Sequence, residues 1–265
     1  MRKTFLKSVT PIFCTVLFLV VVISGCNLFS GDRDVLYQVS TIDALMEGVY
    51  DGEVTFDELK KHGDFALGTF NALDGEMIGM SGEFYQIKVD GNAYPAAGTM
   101  KTPFAVVTFF DADETVKLIP GSDFEQLKMA VDNAMPTRNI FYAVKVEGTF
   151  QYMKVRSVPR QERPYRKLVE VIKDQAIYEY DDIEGTVVGF WCPEYAKGVN
   201  VSGYHFHFIS KDKTVGGHIL DCTLGETVAG IDYTSRFFMT IPEKGEFFGT
   251  DLGGGKKTDL DSVEK

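Results

Sequence analysis

Three of the four histidines in this 265-residue chain, His205, His207 and His218, fall within one short window. An H-x-H pair on a strand turns both imidazoles to one face, because strand side chains alternate with period two. Tyr204, Phe206 and Phe208 then take the opposite face. Residues 211–214 read as a turn and 215–220 as the returning strand, a hairpin long enough to set His218 beside the other two. Three neutral imidazoles with one open position are the donor set of a catalytic zinc site. Such an ion acts as a Lewis acid on substrate oxygens or makes a hydroxide nucleophile. The alternative is two surface histidines and an unrelated third, and the scarcity of histidine elsewhere favours the metal. Cupin-like metal proteins add a Glu shortly after their H-x-H pair. Here that stretch is Ile209-Ser210-Lys211-Asp212, which counts against a cupin.

The elements that must carry these residues are short and mixed. Ser40-Thr41-Ile42-Asp43 opens a brief helix. Thr55-Phe56-Asp57-Glu58 and Ser122-Asp123-Phe124-Glu125 are capping boxes, in which each side chain satisfies an orphan backbone donor. The second box opens a helix to Ala134, stopped by Pro136. Strand-like runs cover 65–71, 76–80, 83–89 and 104–110, with turns at Leu73-Asp74-Gly75 and Asp90-Gly91. Residues 140–147 and 150–157 read as a hairpin around Gly148, and 158–164 as a linker. Beyond it, strands are predicted over 168–172, 176–181, 185–191, 204–210, 216–221, 226–233 and 237–241, before a glycine-rich, polar tail. The pattern predicts an α+β fold: an N-terminal domain over 36–160 with a mixed sheet and helices, and an open β-barrel-like domain over 161–265.

The N-terminus reads as an address. Arg2, Lys3 and Lys7 precede an apolar run over 11–23, and Ser24-Gly25-Cys26 follows. This is the pattern of a secretory signal over 1–25 with a lipoprotein cleavage box, which predicts a lipid on Cys26 and a tether over 26–35. A plain cleaved signal or an uncleaved anchor helix are the alternatives. The expectation is an exported protein, held by lipid at the outer face of the cell membrane or secreted. Loss of 1–25 removes three cations and no acid, taking the formal charge from −11 to −14. Nucleic acid is a poor partner for so acidic a chain, because that affinity depends on Lys and Arg neutralising phosphates. Cys192 and Cys222 could pair in an oxidising exterior, but read better as buried free thiols.

Several separated motifs, in order, resemble the bacterial α-acetolactate decarboxylases over essentially all of the chain after the signal. They are Leu36-Tyr37-Gln38-Val39-Ser40-Thr41-Ile42-Asp43-Ala44-Leu45, Gly68-Thr69-Phe70-Asn71-Ala72-Leu73-Asp74-Gly75-Glu76, Lys154-Val155-Arg156-Ser157-Val158-Pro159-Arg160-Gln161, Gly189-Phe190-Trp191, Gly203-Tyr204-His205-Phe206-His207-Phe208-Ile209-Ser210 and Gly216-Gly217-His218. The resemblance implies conversion of (S)-2-acetolactate to (R)-acetoin and CO2. It also implies two β-rich domains with the metal site between them, usually in a homodimer. Zinc ligands fall on His205, His207 and His218, in agreement with the reading from spacing. Acid–base and substrate-contacting roles fall on Glu76 and Arg156, and Thr69 and the Leu73 backbone line the substrate site. A further glutamate falls on Glu264, which by composition alone is a solvated tail residue.

These residue types suit that chemistry. Loss of CO2 from acetolactate leaves electrons to be held as an enediolate. Zinc chelated by the hydroxyl and ketone oxygens lowers that barrier by polarising the carbonyl. Arg156 would bind the carboxylate or stabilise the anion formed. Glu76 or Glu264 would supply or relay the proton, and the choice between them stays open. Read without the family, Glu76 is a solvated strand-edge residue and Arg156 an ordinary salt-bridge residue. A lipid-anchored zinc or small-acid binding protein without turnover is the rival class. Glu76 and Arg156 beside three histidines favour the enzyme.

Overall fold

The computed structural model describes residues 33–253 and Val263. The signal expected over 1–25, Cys26 and Glu264 lie outside the described residues, whereas Val35, the expected end of the tether, already belongs to a strand. In chain order the first elements are β1 (Val35–Val39), α1 (Ile42–Met46), β2 (Val54–Thr55), α2 (Phe56–Leu59), β3 (Phe65–Thr69), β4 (Glu76–Met80) and β5 (Glu83–Ile87). Then come β6 (Ala93–Pro95), β7 (Lys101–Thr102), β8 (Ala105–Thr108), β9 (Glu114–Lys117), α3 (Phe124–Ala134) and β10 (Phe141–Ser157). The last are α4 (Leu168–Val171), β11 (Ala176–Cys192), β12 (Gly203–Ser210), β13 (Gly216–Thr234) and β14 (Arg236–Thr240). The helix starts follow their caps. Thr41 and Thr55 accept from the amides of Ala44 and Glu58. Asp123 and Gln126 form the capping box of α3, one residue later than the sequence suggests. No helix among the described residues is long and apolar enough to cross a membrane.

The result is a sheet-rich α+β fold. Seven strands form a mixed sheet in the order β14-β1-β8-β3-β4-β5-β6, in which β14 runs parallel to β1. The second sheet runs β10-β11-β12-β13-β9, and β10 also pairs with β13. The four long strands therefore pair in a ring instead of leaving the open edges expected of them. The expected division at residue 160 does not coincide with a boundary between sheets. Strands β9 and β10, from the first part of the chain, belong to the ring, and β14, from the last part, belongs to the first sheet.

One expected hairpin and two expected pairs of separate strands are single long strands. Residues 141–157, 176–192 and 216–234 each run unbroken through the breaks expected near Gly148, Asp182 and Gly225. Gly148 is a bulge, not a turn. Its φ is +142°, the register against β13 shifts just beyond it, and a Cβ there would lie 2.0 Å from the Glu226 carbonyl oxygen. The 168–172 segment, expected as a strand, opens with helix α4, because Leu168 and Val171 share one buried face at helical spacing.

Alternation along the ring strands sorts two cores. Tyr142, Val144 and Val146 of β10, Val187 of β11 and Phe206 and Phe208 of β12 fill the inside of the ring. Phe141, Ala143, Val188, Phe190 and Ile209 turn outward to pack with Phe65, Leu67, Ile78 and Val106 of the first sheet. Phe65 and Phe190 meet across that layer at 5.7 Å. Each fully buried Phe contributes about 1.5–3 kcal/mol, so a register slip on β12, which would exchange Phe206 and Phe208 with the histidines, is strongly disfavoured. Cys192 and Cys222 are buried free thiols, as the sequence reading favours.

One buried acid works against this packing. Asp232 on β13 is 2% exposed, and burial pushes its carboxyl up to about 7, with Asp113, Asp34 and Asp111 adding to the shift against a hydrogen bond from the Asp111 amide. The folded state thus holds this proton more tightly than the unfolded chain, whose value is near 3.8. The stabilisation is full below that value and is lost as pH rises through about 7. Asp232→Asn should therefore raise stability at pH 8 by about 1–3 kcal/mol, the range for a poorly partnered buried polar group. The advantage should shrink between pH 7 and pH 4. Urea unfolding of both proteins across that range measures it, and a variant no more stable at pH 8 than the parent contradicts the account.

Candidate metal and substrate site

The outward face of β12 carries the histidines. His205 and His207 alternate with Phe206, and His207 is the direct cross-strand partner of His218 on β13. The Nε2 atoms of His205 and His207 lie 3.1 Å apart, close enough for one ion to bind both at ordinary Zn–N lengths. One ring nitrogen from each of the three histidines falls within 4.8 Å of the others. The His207 Nδ1–H donates to the Met77 carbonyl at 2.9 Å, which leaves its Nε2 lone pair facing the other rings. Burial pushes His207 down to about 3 and His205 well below the usual imidazole range, and the Arg156 charge adds to both shifts. Neutral rings are the form that ligates a metal, so the donor set fits a divalent transition ion. His62, the fourth histidine, stacks on Tyr37 and pairs with Glu58 far along the chain from this cluster.

Glu76 and Arg156 complete the polar wall, and they come from different sheets. Glu76 opens β4 and pairs in register with Thr69 of β3. Arg156 lies near the end of β10, in register with His218. The Arg156 Nη1 donates to Glu76 Oε1 at 3.0 Å, and Glu76 Oε2 is 3.6 Å from His207 Nε2. Both side chains are buried. Burial raises the Glu76 carboxyl above the ordinary range, and Arg156 pulls the other way. Arg156 Nη2 donates to the Val263 carbonyl at 3.0 Å, and its Nε has no partner among the described residues. A buried ion pair is weak evidence of stability, because desolvation offsets its attraction. Its place beside three imidazoles marks it as chemistry.

Thr69 and Leu73 line the same small pocket as Glu76, Arg156, His205 and His218. The Thr69 hydroxyl donates to the Gly75 carbonyl at 2.6 Å. Leu73 and the preceding Ala72 have φ of +50° and +60°, a conformation that costs an L-residue roughly 1–2 kcal/mol. The opposite wall is apolar: Ile42 and Leu45 of α1, Phe104, Val158, Leu168 of α4, and Val263. Sequence reasoning missed this wall. Its residues are ordinary core types, and only the packing of α1 and α4 brings them here. The structure thus brings together seven of the expected site residues: Thr69, Leu73, Glu76, Arg156, His205 and His218 line the pocket, and His207 completes the triad, whereas Glu264, which follows Val263 in sequence, lies outside the described residues. A wider crevice at the far ends of β3 and β4, lined by Lys145, Lys211, Glu147 and Glu184, holds none of the histidines. Four of its charges form the pairs Lys145–Glu147 and Lys211–Glu184.

The ion pair yields a measurable coupling. In metal-free protein, Glu76→Ala should cost about 3–5 kcal/mol, because it strands a buried guanidinium. The Glu76→Ala/Arg156→Ala double variant should cost clearly less than the sum of the two single changes. Urea denaturation of the four proteins gives the coupling, and additive losses would show that the two charges do not depend on one another.

Comparison with known proteins agrees with this geometry. The family model described as alpha-acetolactate decarboxylase matches residues 36–254. The alpha-acetolactate decarboxylase of Methanosarcina mazei is 51% identical over 239 residues, covering 90% of this chain and 83% of that protein. That of Methylococcus capsulatus is 52% identical over 229 residues, covering 86% and 88%. The crystal structure of the Bacillus subtilis strain 168 alpha-acetolactate decarboxylase superposes with a TM-score of 0.85 at 40% identity, over 87% of this chain and 99% of that one. With half of the aligned residues identical and its fold superposing along nearly the whole of a solved member, the chain belongs to the alpha-acetolactate decarboxylase family.

Proposed function

We propose that the protein is a zinc-dependent enzyme that decarboxylates (S)-2-acetolactate to (R)-acetoin and CO2, as a step of acetoin formation. The observation that carries this reading is the convergence of a His triad and a buried Glu–Arg pair on one pocket, in a member of this family. His205, His207 and His218 would hold the ion between the two sheets, and when bound it supplies Lewis-acid polarisation of the substrate's hydroxyl and ketone oxygens.

The chain's own groups divide the remaining work. Arg156 binds the carboxylate through the Nε and Nη2 edge, where Nε has no partner among the described residues and Nη2 now meets only the Val263 carbonyl. As the bond to the carboxyl carbon breaks, CO2 leaves and the electron pair moves toward the ketone, giving an enediolate. The guanidinium stays within reach of that developing charge. Protonation at the carbon then gives acetoin, and a single enantiomer requires delivery from one face. Glu76, hydrogen-bonded by Arg156, would hold or move that proton, with Glu264 the second candidate. Thr69 and Leu73 shape the substrate site, and the apolar wall takes the two methyl groups and keeps water out.

The direct experiment is a colorimetric acetoin assay with racemic acetolactate, run on the protein as purified, after chelation and after zinc is restored. Activity that disappears with the chelator and returns with zinc supports the reading. Acetolactate left intact in all three arms reduces the protein to a binding role. His207→Ala should lose both bound metal and turnover, because an open three-ligand site cannot spare a ligand. Arg156→Lys should keep its zinc and lose roughly 10²–10³ in kcat, since an ammonium cannot reproduce the planar fork of donors. An unchanged kcat with a raised KM would make Arg156 a ground-state binding residue.

We further propose, on the sequence alone, that residues 1–25 direct export, that Cys26 carries a lipid, and that the protein works as a homodimer at the membrane surface. Cys26→Ser should then move the protein from the membrane fraction to the medium or leave an unprocessed precursor, with the catalytic domain active. Fractionation with a labelled fatty acid reads this out, and a parent protein without label rules out the lipid.

A further inference from the structure

Six residues other than glycine have left-handed backbone among the described residues: Ser40, Ala72, Leu73, Ser81, Asp182 and Lys213. Four stand singly and carry polar side chains. Ala72 and Leu73 are adjacent, apolar and almost fully buried, the least favourable case for this conformation. No glycine or asparagine at these two positions relieves it, so the surroundings must impose it.

The anchors come from across the sequence. The Ala72 amide donates to the Tyr50 carbonyl, and the Gln161 amide donates to the Ala72 carbonyl, both at 2.8 Å. Asn71 grips the Gly52 peptide on both sides: its Oδ1 accepts from the Gly52 amide at 2.9 Å, and its Nδ2 donates to the Gly52 carbonyl at 3.0 Å. Gly52 itself has no room for a side chain, since a Cβ would lie 1.7 Å from the Thr102 carbonyl oxygen. Farther along, Gln86 Nε2 donates to the Asp74 carbonyl and Thr69 Oγ1 to that of Gly75. The turn so held ends in Leu73 on the pocket wall and leads directly into Glu76.

We propose that the Ala72–Leu73 turn is a positioning element, with Asn71 as its principal side-chain anchor, that holds Leu73 and Glu76 in register with the substrate. Resting on the decarboxylase reading above, it adds residues that touch neither the reacting atoms nor the ion. A turn kept in a disfavoured conformation by many outside bonds is rigid, and rigidity at a wall beside the reacting carbons is worth rate.

The test separates position from stability. Glycine adopts φ of +60° without strain, but it also samples many other conformations. In Ala72→Gly, relief of strain opposes the lost methyl contact and the freer unfolded chain, so the melting temperature should stay within about 3 °C of the parent. Zinc bound per chain should be unchanged. Turnover should nevertheless fall about tenfold, mainly in kcat. Asn71→Ala should show the same kinetic loss at full zinc occupancy, and if it fails to fold, Ala72→Gly alone decides. Parent-like kcat and KM in folded, zinc-loaded Ala72→Gly overturn the inference and leave the decarboxylase reading standing. A parent protein without turnover overturns both.

Discussion

The site depends on one ion pair that joins two sheets. Glu76 belongs to the first sheet and Arg156 to the ring, and each is buried so deeply that it needs the other. Neither sheet can shift along the other without stranding a charge out of water, an error costing several kcal/mol. The His207 bond to the Met77 carbonyl adds a second, directional tie across the same junction, one residue along from Glu76. Together they fix the distance between a carboxyl and three imidazoles that are held by strands of different sheets.

The ring supplies the other half of the constraint. Phe206 and Phe208 must face inward to fill its core, so His205 and His207 must face outward to the first sheet. His218 reaches them because β13 pairs with β12 at that level, and Arg156 because β10 pairs with β13 at the same level. One row of cross-strand neighbours therefore carries Arg156, His218 and His207. The chemistry is spread over three strands but lies within about one strand spacing of its neighbours.

How much of this was legible in the sequence differs by residue. The triad was readable from spacing alone, because period-two alternation and a hairpin are local rules. Glu76 and Arg156 could not be singled out that way, since a Glu after a turn and an Arg in a strand are usually solvated. The family resemblance pointed to them, and the structure supplies their contact. Gly148 reads as a turn in the sequence because a bulge and a hairpin place the same residue in the same local pattern. The choice between them was made by pairing with β13, nearly eighty residues away. The apolar wall and the left-handed pair at Ala72 and Leu73 left no local trace for the same reason, as their causes lie at α1, α4, Tyr50, Gly52 and Gln161.

Strand β14 gives the chain a history as well as a shape. The first sheet starts at Val35, yet its edge partner is Arg236–Thr240, two hundred residues later. As the protein emerges during synthesis, β1 waits with one side unpaired while the whole ring is made and assembled. The sheet cannot be completed as an independent early unit, and the parallel pairing that completes it comes with the loop-closure cost of a separation of 201 residues. Until then an apolar strand bearing Leu36, Tyr37 and Val39 has an open edge, the condition under which strands recruit the wrong neighbours. An arrangement that ties the two sheets together once formed thus also makes β14 the gatekeeper of β1.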